Sequence, residues 1–102
     1  MVEIYFEARC RLGKSVRVTR ERWHHVLHKH PEVTGRENDV RKVLEDPDEI
    51  KRDPKHASVF RYRRQFGDHY IRAVIKCYND EAFLVTAFLE RKTGRGELIW
   101  QK

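Results

Sequence analysis

Four of the six histidines fall in one short run, Trp23-His24-His25-Val26-Leu27-His28-Lys29-His30-Pro31-Glu32. An unperturbed imidazole titrates at about pH 6.5, so it can take and return a proton near neutrality. If the run is helical, a turn of about 100° per residue stacks His24 with His28 on one flank and His25 with Lys29 on the other. His30 would fall in the apolar stripe of Trp23, Val26 and Leu27. Pro31 disfavours helical backbone at the residue before it, so His30 should turn toward whatever that stripe covers. Three uses fit. His24 and His28, at i and i+4, have the spacing of metal ligands, although no His-Glu-x-x-His pattern and no third ligand accompany them. All four could be solvated polar residues or partners for the C-terminal end of the helix dipole. Acid–base catalysis is the third use, with His30 and His25 as its candidates.

Chemistry at a phosphate also needs cations, and their distribution is uneven. Residues 32–54 carry eight acidic and five basic side chains, whereas residues 55–95 carry nine basic and four acidic ones. The basic members are Arg61, Arg63, Arg64, Arg72, Lys76, Arg91, Lys92 and Arg95, with Lys55 before them. Phe60, Tyr62, Phe66, Tyr70 and Tyr78 interleave with them. Cations with aromatic rings on a sheet offer phosphate pairing and base stacking. A plain solvated sheet face has the same composition. Antiparallel pairing across Asn79-Asp80 would set Lys76 opposite Phe83 and Arg72 opposite Ala87, give or take one residue. Thr86 then lies within a residue or two of Arg72. A hydroxyl beside two cations can cradle a phosphate, and it is equally an ordinary cross-strand cluster.

The elements that must position these groups can be read from periodicity. Residues 2–10 alternate, with Val2, Ile4, Phe6, Ala8 and Cys10 on one face, which is the period of a half-buried strand. Leu12-Gly13-Lys14 turns the chain, and Val16 and Val18 complete a hairpin. Thr19 is placed as the N-cap of a helix over Arg20 to Lys29. Thr34-Gly35-Arg36-Glu37 has the form of a capping box, opening a second helix with the stripe Val40, Val43, Leu44, which Asp46-Pro47 stops. Ile50 to Arg52 reads as a short edge strand. Ala57–Phe66, Tyr70–Tyr78 and Ala82–Arg91 read as longer strands joined by Gly67-Asp68 and Asn79-Asp80. The expected fold is α+β: an N-terminal strand hairpin, two short helices, then an antiparallel sheet meander with the helices packed on one face.

Composition sets the outer bounds. The 102 residues make one domain. Lys and Arg exceed Asp and Glu, 22 to 16, for a net charge of +6. Such a balance draws in polyanions over about 8 Å at physiological salt, although it also serves plain solubility. Cys10 and Cys77 match no metal or redox motif and sit in apolar strand patterns, as buried free thiols do. That usage, the lack of a leader-like N-terminus and the absence of an apolar run of about 18 residues lead to the expectation of a cytoplasmic protein. No cofactor is expected.

A longer pattern spans residues 19–100. His25-Val26-Leu27-His28-Lys29-His30-Pro31-Glu32 is followed by Val43-Leu44-Glu45-Asp46-Pro47-Asp48-Glu49-Ile50. Phe60-Arg61-Tyr62, Leu84-Val85-Thr86-Ala87-Phe88 and Gly96-Glu97-Leu98-Ile99-Trp100 then follow in order. This succession resembles the phage-associated nucleases of the Barnase–EndoU–colicin–RelE superfamily. The resemblance implies metal-independent RNA cleavage by attack of the ribose 2′-OH on the adjacent phosphate. It implies His30 as base or acid with His25 as counterpart, Lys76 and Arg72 stabilising charge, Thr86 holding a phosphate oxygen, and Tyr62 stacking or donating a proton. Arg61, Arg63, Arg64, Arg72, Arg91, Lys92 and Arg95 of the basic stretch would bind RNA, and an acidic antitoxin would be a natural partner. A non-catalytic RNA-binding module and an interaction domain for an acidic protein remain the competing readings.

Overall fold

The computed structural model describes residues 3–91 and 96–102. Strands β1 (Ile4–Arg9) and β2 (Ser15–Thr19) pair antiparallel as the expected hairpin. Their inward residues Phe6, Ala8, Val16 and Val18 are buried. Thr19 caps helix α1 (Arg20–Lys29), accepting a 3.0 Å hydrogen bond from the Arg22 amide. This satisfies one of the donors that a helix start leaves open. Trp23 and Val26 enter the core, and the Trp23 ring meets the Phe6 ring edge-on at 5.5 Å. Removing such a buried indole costs about 3–5 kcal/mol.

Helix α1 stops at His30, as Pro31 requires. A single 3-10 turn, Pro31–Val33, follows. Here the expected capping box gives way. The Thr34 hydroxyl bonds back to the Pro31 carbonyl instead, at 2.6 Å. Helix α2 (Glu37–Glu45) starts later, with Arg36 at its N-cap. Its stripe of Val40, Val43 and Leu44 is fully buried.

Strands β3 (Glu49–Arg52), β4 (Val59–Phe66), β5 (His69–Tyr78), β6 (Glu81–Glu90) and β7 (Glu97–Gln101) complete a seven-stranded sheet in the order β1-β2-β6-β5-β4-β3-β7. The two tight hairpins turn where the sequence placed them. Gly67 and Asn79 take positive φ, 64° and 53°, at the first position of each two-residue turn, which matches the twist of the flanking strands. Two features depart from the meander. β2 pairs parallel with β6, through Ser15–Glu81, Val16–Ala82 and Arg17–Phe83, so the sheet is mixed. β7 pairs with β3 and makes Ile50–Arg52 an inner strand rather than an edge.

The helices pack against one face of this sheet. Ile50, Tyr62, Ile71, Ala73, Ile75, Ala82, Leu84 and Ala87 meet them there, all 1% exposed or less. Alternation then commits the intervening residues to the helix-free face. Cys10 and Cys77 are free thiols; Cys10 is buried and Cys77 half-buried. No described helix is long and apolar enough to cross a membrane.

A candidate nucleic-acid interface on the helix-free face

Cross-strand register lays out this face as a lattice. One row runs Glu49, Arg63, Arg72, Phe88. The next runs Lys51, Arg61, Val74, Thr86. A third runs Val59, Lys76, Phe83 and, across the parallel joint, Arg17. A bulge in β6 lies between the partners of Val74 and Ile75, so Val85 has no opposite residue. Beyond it Thr86 falls opposite Val74, midway between Arg72 and Lys76 on the same face. Each of these cations is two residues from Val74, about 7 Å along the strand. Thr86 thus falls between them in the backbone register, and Thr86 and Lys76 are half-buried.

His30 reaches this lattice from the end of α1. Its ring lies 5.3 Å from that of Phe88, tilted by 32°, and Phe88 is the same-face neighbour of Thr86 along β6. The His30 Nδ1 stands 3.4 Å from the Glu32 carboxylate. That contact orients the imidazole and leaves Nε2 as the nitrogen available to a ligand. His25 lies elsewhere. It is exposed on α1 and lines a groove with Arg22, His28 and Phe83. Phe83 and Phe88 are about 16 Å apart along β6, so the two histidines address different stretches of that strand. Among the described residues no three of His, Cys, Asp and Glu converge as metal ligands, so His24 and His28 have no third donor.

Four residues placed in the site on sequence grounds have other work. Arg72 is wholly buried and its guanidinium grips Glu90, with Nη2 at 2.6 Å and Nε at 3.2 Å from the carboxylate. Nη2 also meets Glu49 at 3.4 Å, and Nη1 donates to the Arg61 carbonyl at 3.3 Å. Arg63 closes the ring, 3.4 Å from Glu49 and 3.9 Å from Glu90, with its guanidinium 4.3 Å from the Tyr70 ring centre. Two arginines and two glutamates neutralise one another, so Arg72 and Arg63 hold the sheet together rather than offering charge to a phosphate. Arg64 points to the helix side and binds the Asp46 carboxylate at 2.8 Å. That pair, with Lys102 at 3.2 Å, holds the Asp46 carboxyl below the usual carboxylate range.

Tyr62 is the fourth. It is fully buried on the core face, beside Ile50 and Ala73. Burial pushes its phenol far above the ordinary value, with the Cys10 thiol adding to the shift. The hydroxyl lies near Cys10 and the Leu12 backbone but makes no hydrogen bond of ordinary geometry. It touches no solvent and can neither stack on a base nor hand over a proton.

Arg61 is half-buried on the helix-free face beside Val74, and Arg91 is exposed at the end of β6 near His69 and Glu90. Lys92 and Arg95 lie outside the described residues. Sequence reasoning passed over Arg17, Arg22 and Phe83, which gather around Lys76 and Tyr78 in a second groove. The pairing of Phe83 with Lys76 across the Asn79-Asp80 turn carries the signal that it shares the lysine's face.

No family model, curated protein or solved structure matches the chain.

Proposed function

We propose that the protein is a metal-independent RNA endonuclease acting on the helix-free face around Thr86. The observation that carries this reading is the placing of Thr86 between Lys76 on one side and the His30–Phe88 stack on the other. In such a site the Thr86 hydroxyl holds a phosphate oxygen. The Lys76 ammonium offsets the charge that builds on the phosphorane as the 2′-OH attacks. His30, beside Glu32, takes the 2′-OH proton at Nε2 and returns it to the 5′-oxygen as the P–O5′ bond breaks, leaving the 2′,3′-cyclic phosphate. The succession of motifs that resembles the superfamily nucleases supports the same assignment of His30, Lys76 and Thr86. A toxin of this kind would be held in check by an acidic partner on the basic face.

The test is incubation of purified protein with RNA in EDTA, followed by analysis of product ends. Cleavage leaving 2′,3′-cyclic phosphate, lost in His30→Ala and in Lys76→Ala, is the expected result. Intact RNA with wild type, or cleavage undiminished in both variants, removes the proposal. A non-catalytic RNA-binding module is the second reading. It is favoured by the separation of His25 from His30, which leaves His30 without its expected counterpart, and by the neutralised Arg72. Binding that weakens steeply with salt, without strand scission, would decide for it.

A further inference from the structure

The groove beside Lys76 has a composition that the chemistry at Thr86 does not need. Of the exposed large hydrophobic residues, Tyr78, Phe83 and Val85 are 50%, 41% and 38% exposed and share this one patch. The Tyr78 and Phe83 rings meet edge-on at 5.7 Å, and the Lys76 ammonium lies 5.2 Å from the Tyr78 ring centre. The space they border is about 430 Å³, within the range of about 300–1,000 Å³ typical of ligand clefts. Its rim is cationic. Arg17 stands beside Phe83 with one carboxylate partner, Glu81, at 2.8 Å, and both side chains of that pair are more than two-fifths exposed. Arg22 reaches over from α1 to the Val85 carbonyl at 3.5 Å. The groove with His25 and His28 adjoins through Arg22 and Phe83.

We propose that this groove binds a nucleotide flanking the cut, and that it selects unpaired RNA. Phe83 and Tyr78 present ring faces and edges on which a base can stack, and Lys76, Arg17 and Arg22 surround them with charge for the neighbouring phosphates. Stacking demands a base free of its helix, since a paired base shows only its edges. An acidic protein would satisfy the cations but would leave the two exposed rings without use. The inference rests on the nuclease reading for the position of the cut, but the groove can be tested without any cleavage.

The probe is a short, fluorescein-labelled 2′-O-methyl RNA, which lacks the attacking hydroxyl and stays intact. Fluorescence anisotropy should show Phe83→Ala and Tyr78→Ala binding it about 5- to 140-fold more weakly than wild type. Phe83→Trp should retain binding. Arg22→Gln should lower the salt dependence by about 0.7 in log–log slope, the value of one single-strand phosphate contact. The same strand annealed to its complement should bind equally to wild type and Phe83→Ala. Unfolding curves confirm that each variant is folded, and Phe83→Trp guards against a purely structural loss. A folded Phe83→Ala that binds the unpaired probe as wild type does overturns the groove assignment, even if wild type cleaves RNA. So does a wild type that fails to bind the probe. Binding lost in the aromatic variants, with no cleavage of ordinary RNA by wild type, keeps the groove and discards the nuclease.

Discussion

Arg72 separates a structural from a catalytic use of charge, and Arg72→Met tests it. The guanidinium is fully buried, and its partners Glu49 and Glu90 are only 8% and 11% exposed at the side chain. Taking away one member of a buried ion pair costs about 3–5 kcal/mol, because a charge is left in a poor solvent. Arg63 remains within 3.4 Å of Glu49 and 3.9 Å of Glu90, so the lower end, about 3 kcal/mol, is expected. At about 4–8 °C per kcal/mol for a domain of this size, the midpoint of thermal unfolding should fall by about 12–24 °C. Circular dichroism against temperature measures it. Adding Glu90→Gln to Arg72→Met removes one stranded carboxylate and should recover part of the loss, giving a double-mutant coupling of more than about 1 kcal/mol. Below its midpoint, Arg72→Met should still bind RNA with the salt slope of wild type. An unchanged midpoint together with lost RNA binding would refute the argument and return Arg72 to the phosphate.

Two further outcomes follow from the same placements. Tyr62→Phe removes a buried hydroxyl that makes no ordinary hydrogen bond, so stability should stay within about 1 kcal/mol of wild type or rise; RNA cleavage should persist, and its loss would show that the phenol takes part after all. Asp46 titrates low because Arg64, and then Lys102, hold its charged form. Its stabilising effect is therefore present above the unfolded carboxylate value, about 3.9, and is lost as pH falls through the lower folded value. Asp46→Asn should lower the unfolding midpoint at pH 7 and converge on wild type in strong acid; a gap that stays constant with pH would contradict the ion-pair account.

The parts of the fold that were legible in the sequence are those set by local chemistry. Thr19 caps α1 because its side chain bonds three residues on, and Pro31 ends the helix within one residue. Asn79-Asp80 fixes the β5–β6 register as far as Ile75–Leu84, whereas the bulge beyond it, which puts Thr86 on the face of Arg72 and Lys76, has no signal in the sequence. Non-local choices were not legible. The parallel joint between β2 and β6 depends on where the chain returns after the intervening elements. The place of β7 beside β3 depends on which edge is left vacant. The capping box at Thr34 failed because a local alternative, the hydroxyl bond to the Pro31 carbonyl, was available.

Charge was the least legible quantity, and for a definite reason. A net of +6 counts residues, but an arginine acts on a distant polyanion only if no carboxylate already faces it. Glu49, from the acidic stretch before the meander, lies across β4 from Arg72, and Glu90 lies one pleat beyond Phe88. Both are brought to Arg72 and Arg63 by strand pairing alone. The consequence is that the Arg63–Arg72–Glu49–Glu90 cluster is neutral, while Lys76 and Arg22 gather beside Phe83 at the β2–β6 joint, next to an Arg17 that already faces Glu81. A polyanion that meets this surface should thus be guided toward the Phe83 groove first, and the phosphate next to the stacked base would lie over Thr86.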